Sequence, residues 1–256
     1  MYIEVKDVSV TFEQKKEKQT ILDDISLDIK KGEFICLLGP SGCGKSTLLN
    51  VIAGFLKPTL GTVTIDGQPV VKPSMDYVTI FQNYGLLPWR TVRKNVELGL
   101  ETKKVSKEER GRIARKYIEM VGLGDAETKR PWQLSGGMQQ RVAIARALAV
   151  NPEILFMDEP FGALDAITRM KLQDDILRIS QETKKTVIFV THDIEEAVFL
   201  SDRIVVLSAN PGKIKSILTI EMPKHRDRTS SDFLVARDKI YDVFHMKTEN
   251  KVEYYI

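Results

Sequence analysis

The chain has 256 residues, and domains usually hold roughly 100 to 200, so we expect one large domain or one domain with a sizeable insertion. Hydrophobic residues make up 43% and charged residues 29%, a globular composition that excludes disordered, collagen-like and membrane-embedded chains. The 38 basic and 35 acidic residues leave a net charge of +3, which gives no support to a nucleic-acid partner.

The N-terminal part of the chain alternates apolar and polar residues in short runs. Residues 8–12, 25–29 and 63–65 follow the two-residue period of strands with one buried face, and Asp66-Gly67 closes the last run as a turn. This pattern predicts half-buried antiparallel strands in the first seventy residues.

Later apolar runs are continuous. They cover residues 34–38, 154–157, 187–190 and 204–207. Strands buried on both faces read this way, which predicts a parallel sheet covered by helices.

Helical patterns lie between these runs, at about 46–56, 106–122, 136–150 and 165–184. The second opens with Ser106 and Glu109, which have the spacing of a capping box. Alternating strands and helices predict an α/β architecture. Because the stretch from about 84 to 150 contains helical patterns alone, we predict an inserted helical subdomain there.

The chain shows no apolar run approaching the roughly 20 residues of a membrane-spanning helix. Met1 leads directly into a strand-like segment without a secretory leader, so we expect a cytoplasmic protein. Two cysteines make no disulfide framework, and Cys36, within an apolar run, is expected to be buried and reduced.

Residues 39–46 read GPSGCGKS and match the phosphate-binding pattern G-x-x-x-x-G-K-[ST] between an apolar strand and a helical pattern. In such a loop, here called the lysine loop, backbone N–H groups and the helix N-terminus bind phosphates. Lys45 is expected to reach the β and γ phosphates, and Ser46 to bind Mg²⁺. The alternative is a glycine-rich turn with a coincidental Lys-Ser pair.

Three polar residues follow apolar runs at the expected ligand-binding edge of the sheet. Asp158 and Glu159 follow residues 154–157, and neighbouring strand residues point to opposite faces. We therefore predict that Asp158 helps to hold Mg²⁺ and that Glu159 acts on a water molecule. His192 follows residues 187–190 and is predicted to polarise the γ-phosphate or to position that water.

Residues 134–141, LSGGMQQR, resemble the signature motif of ATP-binding-cassette (ABC) ATPases. The chain also carries the family's other motifs in the family's order: the lysine loop, Gln82, the signature, Asp158-Glu159, Asp165 and His192. The resemblance covers residues 1 to about 220. It implies an α/β P-loop ATPase domain over residues 1–230, with a mainly parallel core sheet, an N-terminal antiparallel β-subdomain and the inserted helical subdomain, followed by a short helical tail over 231–256.

The signature residues Ser135, Gly136 and Gly137 open a helix, which makes them a second anion-binding helix terminus in the same chain. The resemblance implies a two-fold homodimer that holds each ATP between the lysine loop of one copy and the signature of the other. It further implies that Gln82 reaches the Mg²⁺ and the attacking water, and that Asp165 couples the two sites.

Two positions in the nucleotide site have alternative interpretations. Phe12 stands where the family places an aromatic residue under adenine, but it could also belong to the core. Cys43 is either a tolerated small residue or a redox-sensitive thiol acidified by the helix terminus.

We therefore expect catalytic roles for Glu159, His192 and Gln82. We expect Mg²⁺ binding by Ser46, Gln82 and Asp158. Nucleotide binding is assigned to Phe12, Gly39, Pro40, Ser41, Gly42, Cys43, Gly44, Lys45, Ser46, Thr47, Ser135, Gly136, Gly137, Gln139 and Asp165.

The loop after Gln82, NYGLLPW, is rich in apolar and aromatic residues that are typical of a partner surface. The resemblance implies that integral membrane permease subunits contact residues 82–89, with an extracytoplasmic solute-binding protein acting indirectly. The alternative is that Leu86, Leu87 and Trp89 pack the helical subdomain.

Several short strings resemble the importer branch for nitrate, alkanesulfonates and taurine. They are LPW at 87–89, DEPFGALD at 158–165, Thr168-Arg169 and NPG at 210–212. The resemblance implies a peripheral subunit on the inner face of the cell membrane that powers uptake of a small anionic solute. Alternatives are a thiamine-precursor pyrimidine as cargo, or a soluble ABC ATPase outside transport. A P-loop kinase would not need the signature.

Overall fold

The computed structural model describes residues 1–14, 17–74, 76–81, 84–223 and 226–244, and these form two β-sheets and the helices around them. In chain order the elements are β1 (Ile3–Gln14), β2 (Glu17–Ile29), β3 (Phe34–Leu38), α1 (Lys45–Ile52), β4 (Leu60–Ile65), β5 (Gln68–Pro69), β6 (Tyr77–Ile80), α2 (Val92–Thr102), α3 (Lys107–Met120), α4 (Gly136–Ala149), β7 (Ile154–Asp158), α5 (Ala166–Thr183), β8 (Thr186–Thr191), α6 (Ile194–Leu200), β9 (Arg203–Leu207), β10 (Ile214–Thr219) and α7 (Ser231–Phe244). None of the helices in these ranges has the length and hydrophobicity to cross a membrane.

The smaller sheet has the order β2-β1-β4-β5, with antiparallel pairing throughout. In β1 the buried side chains are first Ile3 and Val5 and then Val8 and Val10. The change of phase lies at Asp7, where φ is 51° and the register with β2 shifts, as at a β-bulge. The predicted antiparallel strands are thereby confirmed.

The larger sheet has the order β10-β9-β3-β8-β7-β6. Its pairs are parallel except for β10, which runs antiparallel to β9 at the edge. All residues of β3 and β8 are buried, as the continuous apolar runs predict. The sequence prediction missed β6 and β10, the two edge strands; β10 alternates between half-buried and exposed residues.

The helices are shorter than their predicted ranges. The first ends at Ile52 rather than near 56, with Ala53 at the C-cap and Gly54 left-handed at a φ of 79°. Ser106 caps α3 by accepting a hydrogen bond from the Glu109 N–H, as its spacing predicts. Two elements were not predicted individually: α2, which lies within the predicted helical stretch, and the seven-residue α6.

Between β6 and β7 the described residues contain helices and no strand. Their apolar side chains, including Val96, Ile118 and Leu148, belong to the same buried cluster as Phe34 and Phe189 of the larger sheet. The helical segment thus packs on one face of that sheet, while α1 and the smaller sheet share a second cluster on the other face.

Candidate nucleotide site

The lysine loop joins β3 to α1 at the carboxyl end of the larger sheet. Gly44 is the N-cap of α1 and has a φ of 93°. A Cβ at this position would lie 2.6 Å from Leu22 Cδ2, so both the backbone conformation and the space require glycine. No side chain caps α1, which leaves its first N–H groups for an anion.

Lys45 is the cation of the site. Its side chain is buried, and Nζ donates hydrogen bonds to the carbonyl oxygens of Gly39, at 2.8 Å, and Pro40, at 2.9 Å. A buried ammonium group hydrogen-bonded to neutral carbonyls has no charge compensation from them. A phosphate at the loop would supply that compensation, so the residues present fit a nucleotide.

Ser46 and Asp158 come together although they lie far apart in the sequence. Ser46 Oγ donates a hydrogen bond to Asp158 Oδ1 at 2.9 Å. Burial raises the pKa of Asp158, while the Ser46 hydrogen bond and the nearby Lys45 oppose that rise. A hydroxyl and a carboxylate are oxygen ligands of the kind that Mg²⁺ takes, so this pair fits the predicted metal position.

Glu159 and His192 follow the neighbouring strands β7 and β8. Glu159 Oε1 lies 3.2 Å from His192 Nδ1, and the Glu159 N–H donates to the Val190 carbonyl at 3.0 Å. Glu159 has a φ of 46°, an uncommon value for a non-glycine residue. The backbone bond and the contact with His192 hold the carboxylate at this edge of the sheet.

A cavity of about 470 Å³, the size of a small-ligand site, lies between the lysine loop and Glu159. Phe12, at 41% exposure, belongs to its wall rather than to the core. The lining residues are Phe12, Ile21, Ser41, Gly42, Gly44, Lys45, Ser46, Thr47 and Glu159. His192 lines a separate cavity together with Gly39 and Pro40.

The turn at residues 210–212, which sequence reasoning treated only as a branch marker, packs directly against the lysine loop. Gly212 donates its N–H to the Ile21 carbonyl at 2.8 Å and accepts from the Asp23 N–H at 3.0 Å. A Cβ on Gly212 would lie 2.2 Å from the Cys43 carbonyl oxygen. This close approach makes Gly212 part of the support of the site.

Replacing Gly212→Ala is expected to push the lysine loop out of place, to lower the free energy of unfolding by about 1–3 kcal/mol and to weaken ATP binding. Thermal denaturation and ATP titration measure both effects. The control is Gly124→Ala, because a Cβ there makes only an ordinary contact, 3.8 Å from Glu119 Cγ. Equal behaviour of the two variants would contradict the supporting role.

The signature opens α4, where Ser135 Oγ accepts a hydrogen bond from the Met138 N–H at 3.3 Å. Gln139 Nε2 donates to the Leu134 carbonyl at 3.3 Å, so its side chain is bound locally. None of Ser135, Gly136 and Gly137 lines the lysine-loop cavity of the described chain. The two predicted anion-binding termini therefore do not meet within one chain.

Asp165 is exposed and caps α5 by accepting a hydrogen bond from the Thr168 N–H at 3.0 Å. That bond holds the pKa of Asp165 below its ordinary value. Gln82, the remaining predicted site residue, lies outside the described residues.

Two polar residues that sequence reasoning missed, the half-buried Arg146 and the buried Asn95, hold the loop after Gln82. Arg146 of α4 donates to the carbonyls of Tyr84, at 2.8 Å, and Gly85, at 2.6 Å. Asn95 of α2 is fully buried, accepts from the Leu87 N–H at 2.8 Å and donates to the Leu87 carbonyl at 3.2 Å. The loop is therefore fixed from two helices.

The two interpretations of that loop, packing of the helical subdomain and a partner surface, each fit a different residue. Leu86 packs against the core, whereas Trp89 is 68% exposed. Phe55 and Phe81, which sequence reasoning did not single out, are exposed by 50% and 42% and form an edge-to-face pair with ring centroids 5.5 Å apart.

The cysteines are free and buried. For Cys43 burial outweighs the nearby Lys45 and raises the pKa of the thiol. The hypothesis of an acidified, redox-sensitive thiol requires the opposite shift, and the interpretation as a tolerated small residue fits better.

Comparison with known proteins agrees with this geometry. The family model described as "ABC transporter" matches residues 22–162. The chain is 54% identical to an uncharacterised ABC transporter ATP-binding protein of Methanocaldococcus jannaschii, over 94% of this chain and 90% of that protein. It is 48% identical to the nitrate import ATP-binding protein NrtD of Synechococcus elongatus, over 86% and 82% of the two chains. It is 47% identical to the bicarbonate transport ATP-binding protein CmpD of the same species, over 89% and 83%.

Among solved structures, the dimeric post-hydrolysis state of an ATP-binding cassette bound to ADP and Pi superposes with a TM-score of 0.79 at 38% identity. The match covers 86% of this chain and all of the other. The predicted fold, a P-loop ATPase with an antiparallel sheet beside a mainly parallel core sheet, is confirmed. The chain belongs to the ABC transporter family and is one of its ATP-binding, ATP-hydrolysing subunits.

Proposed function

We propose that this chain is the ATPase subunit of an importer for a small anionic solute of the nitrate, sulfonate or taurine type, working as a homodimer on separate membrane subunits at the inner face of the cell membrane. The observation that carries the ATPase role is that the lysine loop, Asp158, Glu159 and His192 lie together at one edge of the sheet. The importer role is supported by the similarity of the chain to nitrate and bicarbonate import subunits. A thiamine-precursor pyrimidine remains the alternative cargo.

The chain's own residues supply binding and charge. Lys45 and the N–H groups of the lysine loop hold the phosphates of ATP, and Phe12 stacks on the adenine from the cavity wall. Ser46 and Asp158 would hold Mg²⁺, together with Gln82. Bound there, Mg²⁺ would neutralise charge on the phosphate oxygens.

Glu159 is the general base of this proposal. Its carboxylate lines the cavity beside the lysine loop and would accept a proton from the attacking water. His192, 3.2 Å from that carboxylate, orients Glu159 and contacts the γ-phosphate.

The position of the signature supports a composite site. Ser135–Gly137 lie outside the cavity of their own chain, which supports a site in which a second copy brings its signature to the bound ATP. A two-fold dimer then forms two equal sites from one surface pairing, and Asp165, exposed at the start of α5, faces the partner.

The surface for the permease subunits is proposed to comprise Phe55, Phe81 and Trp89, together with the rest of residues 82–89. Exposed aromatic side chains are suited to bind a helix of another protein: Trp89 lies on the loop after Gln82, and the Phe55–Phe81 pair lies where α1 and β6 end. The clamps at Arg146 and Asn95 hold this loop in place.

Replacing Trp89→Ala is expected to lower permease-stimulated ATP hydrolysis about tenfold or more, the effect of losing an aromatic anchor, and to leave the basal rate unchanged. The rate is measured with the chain alone and with its reconstituted membrane partner. Trp132→Ala is the matched control, since Trp132 is also exposed, by 63%, on another part of the surface. A similar loss in both variants would contradict the proposed contact.

The importer function is tested by uptake in cells from which this gene is deleted, complemented with wild type or Glu159→Gln. The solutes are nitrate, taurine, an alkanesulfonate, bicarbonate and a thiamine-precursor pyrimidine. Wild type alone is expected to restore uptake of one small anion. Normal uptake of every solute in the deletion strain would overturn the assignment.

A further inference from the structure

A chain of hydrogen bonds links the C-terminal segment to the turn that carries His192. Arg228 Nη2 donates to Gln173 Oε1 of α5 at 2.5 Å, and Gln173 Nε2 donates to Glu196 Oε1 of α6 at 3.1 Å. Thr191, at the end of β8, donates its hydroxyl to Glu196 Oε2 at 2.7 Å. Both oxygens of the Glu196 carboxylate therefore accept a hydrogen bond.

Three members of this chain of bonds are shielded from water, and Arg228 at its end is half-buried. The exposed fractions are 3% for Gln173, 2% for Thr191 and 8% for Glu196. Buried polar groups cost free energy unless they are paired, so each member fixes the orientation of the next. Removing one member leaves its neighbours unpaired.

The series of hydrogen bonds ends at Thr191 and Asp193, the residues on either side of His192. The Thr191 hydroxyl accepts from the Asp193 N–H at 3.0 Å, so a single side chain ties Glu196 to the backbone just after His192. Asp193 in turn caps α6 by accepting from the N–H groups of Glu195, at 2.8 Å, and Glu196, at 3.1 Å.

The C-terminal segment holds the other end of α6. The buried Arg226 donates to the carbonyls of Phe199, at 3.1 Å, and Ser201, at 2.8 Å. The Arg228 guanidinium lies 3.5 Å from the centre of the Phe199 ring. Together with the bonds from Gln173 to Glu196 and Arg228, these contacts hold α6 in place relative to α5, the helix that Asp165 caps.

We propose that Gln173, Glu196 and Arg228 are positioning residues that set the place of His192 relative to α5. Movement of α5, whose first turn faces the partner copy in the proposed dimer, would thereby change the contact between His192 and Glu159. The inference rests on the proposed role of His192 in ATP hydrolysis.

The first test is a double-mutant cycle between Gln173→Leu and His192→Ala. Gln173→Leu is expected to lower kcat about tenfold or more and to leave ATP affinity unchanged, because the misplacement reaches the reacting groups and not the lysine loop. In the His192→Ala background it is expected to lower kcat no further. Ser180→Ala, a buried polar substitution on the same helix, is the control and is expected to keep the wild-type kcat.

The second test exchanges the two partners, combining Gln173→Glu with Glu196→Gln. Gln173→Glu alone places two carboxylates against one another, whereas Glu196→Gln alone still offers an amide oxygen to Gln173 and is expected to be the milder change. The pair restores an amide-to-carboxylate bond and leaves Arg228 facing a carboxylate. The exchange is expected to recover at least half of the kcat that the worse single variant loses. Melting temperatures measured for all variants separate this effect from loss of folding.

An equal fold-loss from Gln173→Leu in the wild-type and His192→Ala backgrounds would overturn the inference, as would an exchange that recovers nothing. In either case an impaired His192→Ala enzyme would leave the proposed function standing. A normal kcat in His192→Ala alone would instead refute the proposed role of His192, and the positioning inference with it.

Discussion

Replacing Glu159→Gln is expected to lower kcat for ATP about 100-fold or more, since an amide cannot accept the proton of the attacking water. ATP affinity is expected to stay unchanged, because Lys45 and Ser46 keep their contacts. The amide has nearly the same shape as the carboxylate and can keep the contact with His192. Turnover at saturating MgATP and equilibrium ATP binding measure the two quantities separately.

Glu195→Gln is the matched control. Glu195 lies three residues after His192, has a side chain exposed by 53% and forms an ion pair with Arg237 at 3.7 Å. The substitution therefore removes a nearby carboxylate that does not line the nucleotide cavity, and wild-type turnover is expected. Near-normal turnover in Glu159→Gln would exclude Glu159 as the base.

The second large effect is expected at the signature. Replacing Ser135→Asp should lower hydrolysis about 100-fold or more, the scale seen when a transition-state donor is lost, because in the proposed dimer it places a carboxylate beside the phosphates held by the partner copy. Asp and Asn cap a helix as well as Ser does, so the capping of α4 by residue 135 is preserved in both.

Ser135→Asn therefore isolates the charge. It is expected to retain much more activity than Ser135→Asp, and both variants are expected to bind ATP as wild type does, since the lysine loop is untouched. Steady-state hydrolysis and ATP titration give the comparison. Equal rates in the two variants would show that no phosphate approaches Ser135.

The parts of the fold that were predictable have local causes. Continuous apolar runs predicted β3, β7, β8 and β9, since strands buried on both faces cannot alternate. Strand β10 lies at the edge of the sheet, pairs with β9 alone and has one face in contact with solvent. Its sequence therefore has no continuous apolar run that would predict a strand. Helix α6 has only seven residues, too few to show a period clearly.

The same division holds for the candidate site. The lysine loop, Asp158-Glu159 and the signature were visible because each function needs particular residues at fixed spacing. The supporting residues Gly212 and Arg146 were not, because their importance lies in contacts with chain segments far away in sequence. Asn95 binds Leu87 only eight residues away, but a single asparagine in a helical pattern has no spacing that marks it as buried. Gln173 and Arg228 are 55 positions apart, and nothing in their local sequence indicates that they bind one another.

In the proposed mechanism two copies of this chain share each ATP. Light scattering of Glu159→Gln with and without MgATP, combined with a count of bound nucleotide, tests it directly. We expect one chain mass without nucleotide, twice that mass with MgATP and one nucleotide per chain, and no doubling when Ser135→Asp is added. A chain that binds ATP fully yet keeps the mass of one copy would contradict the claim.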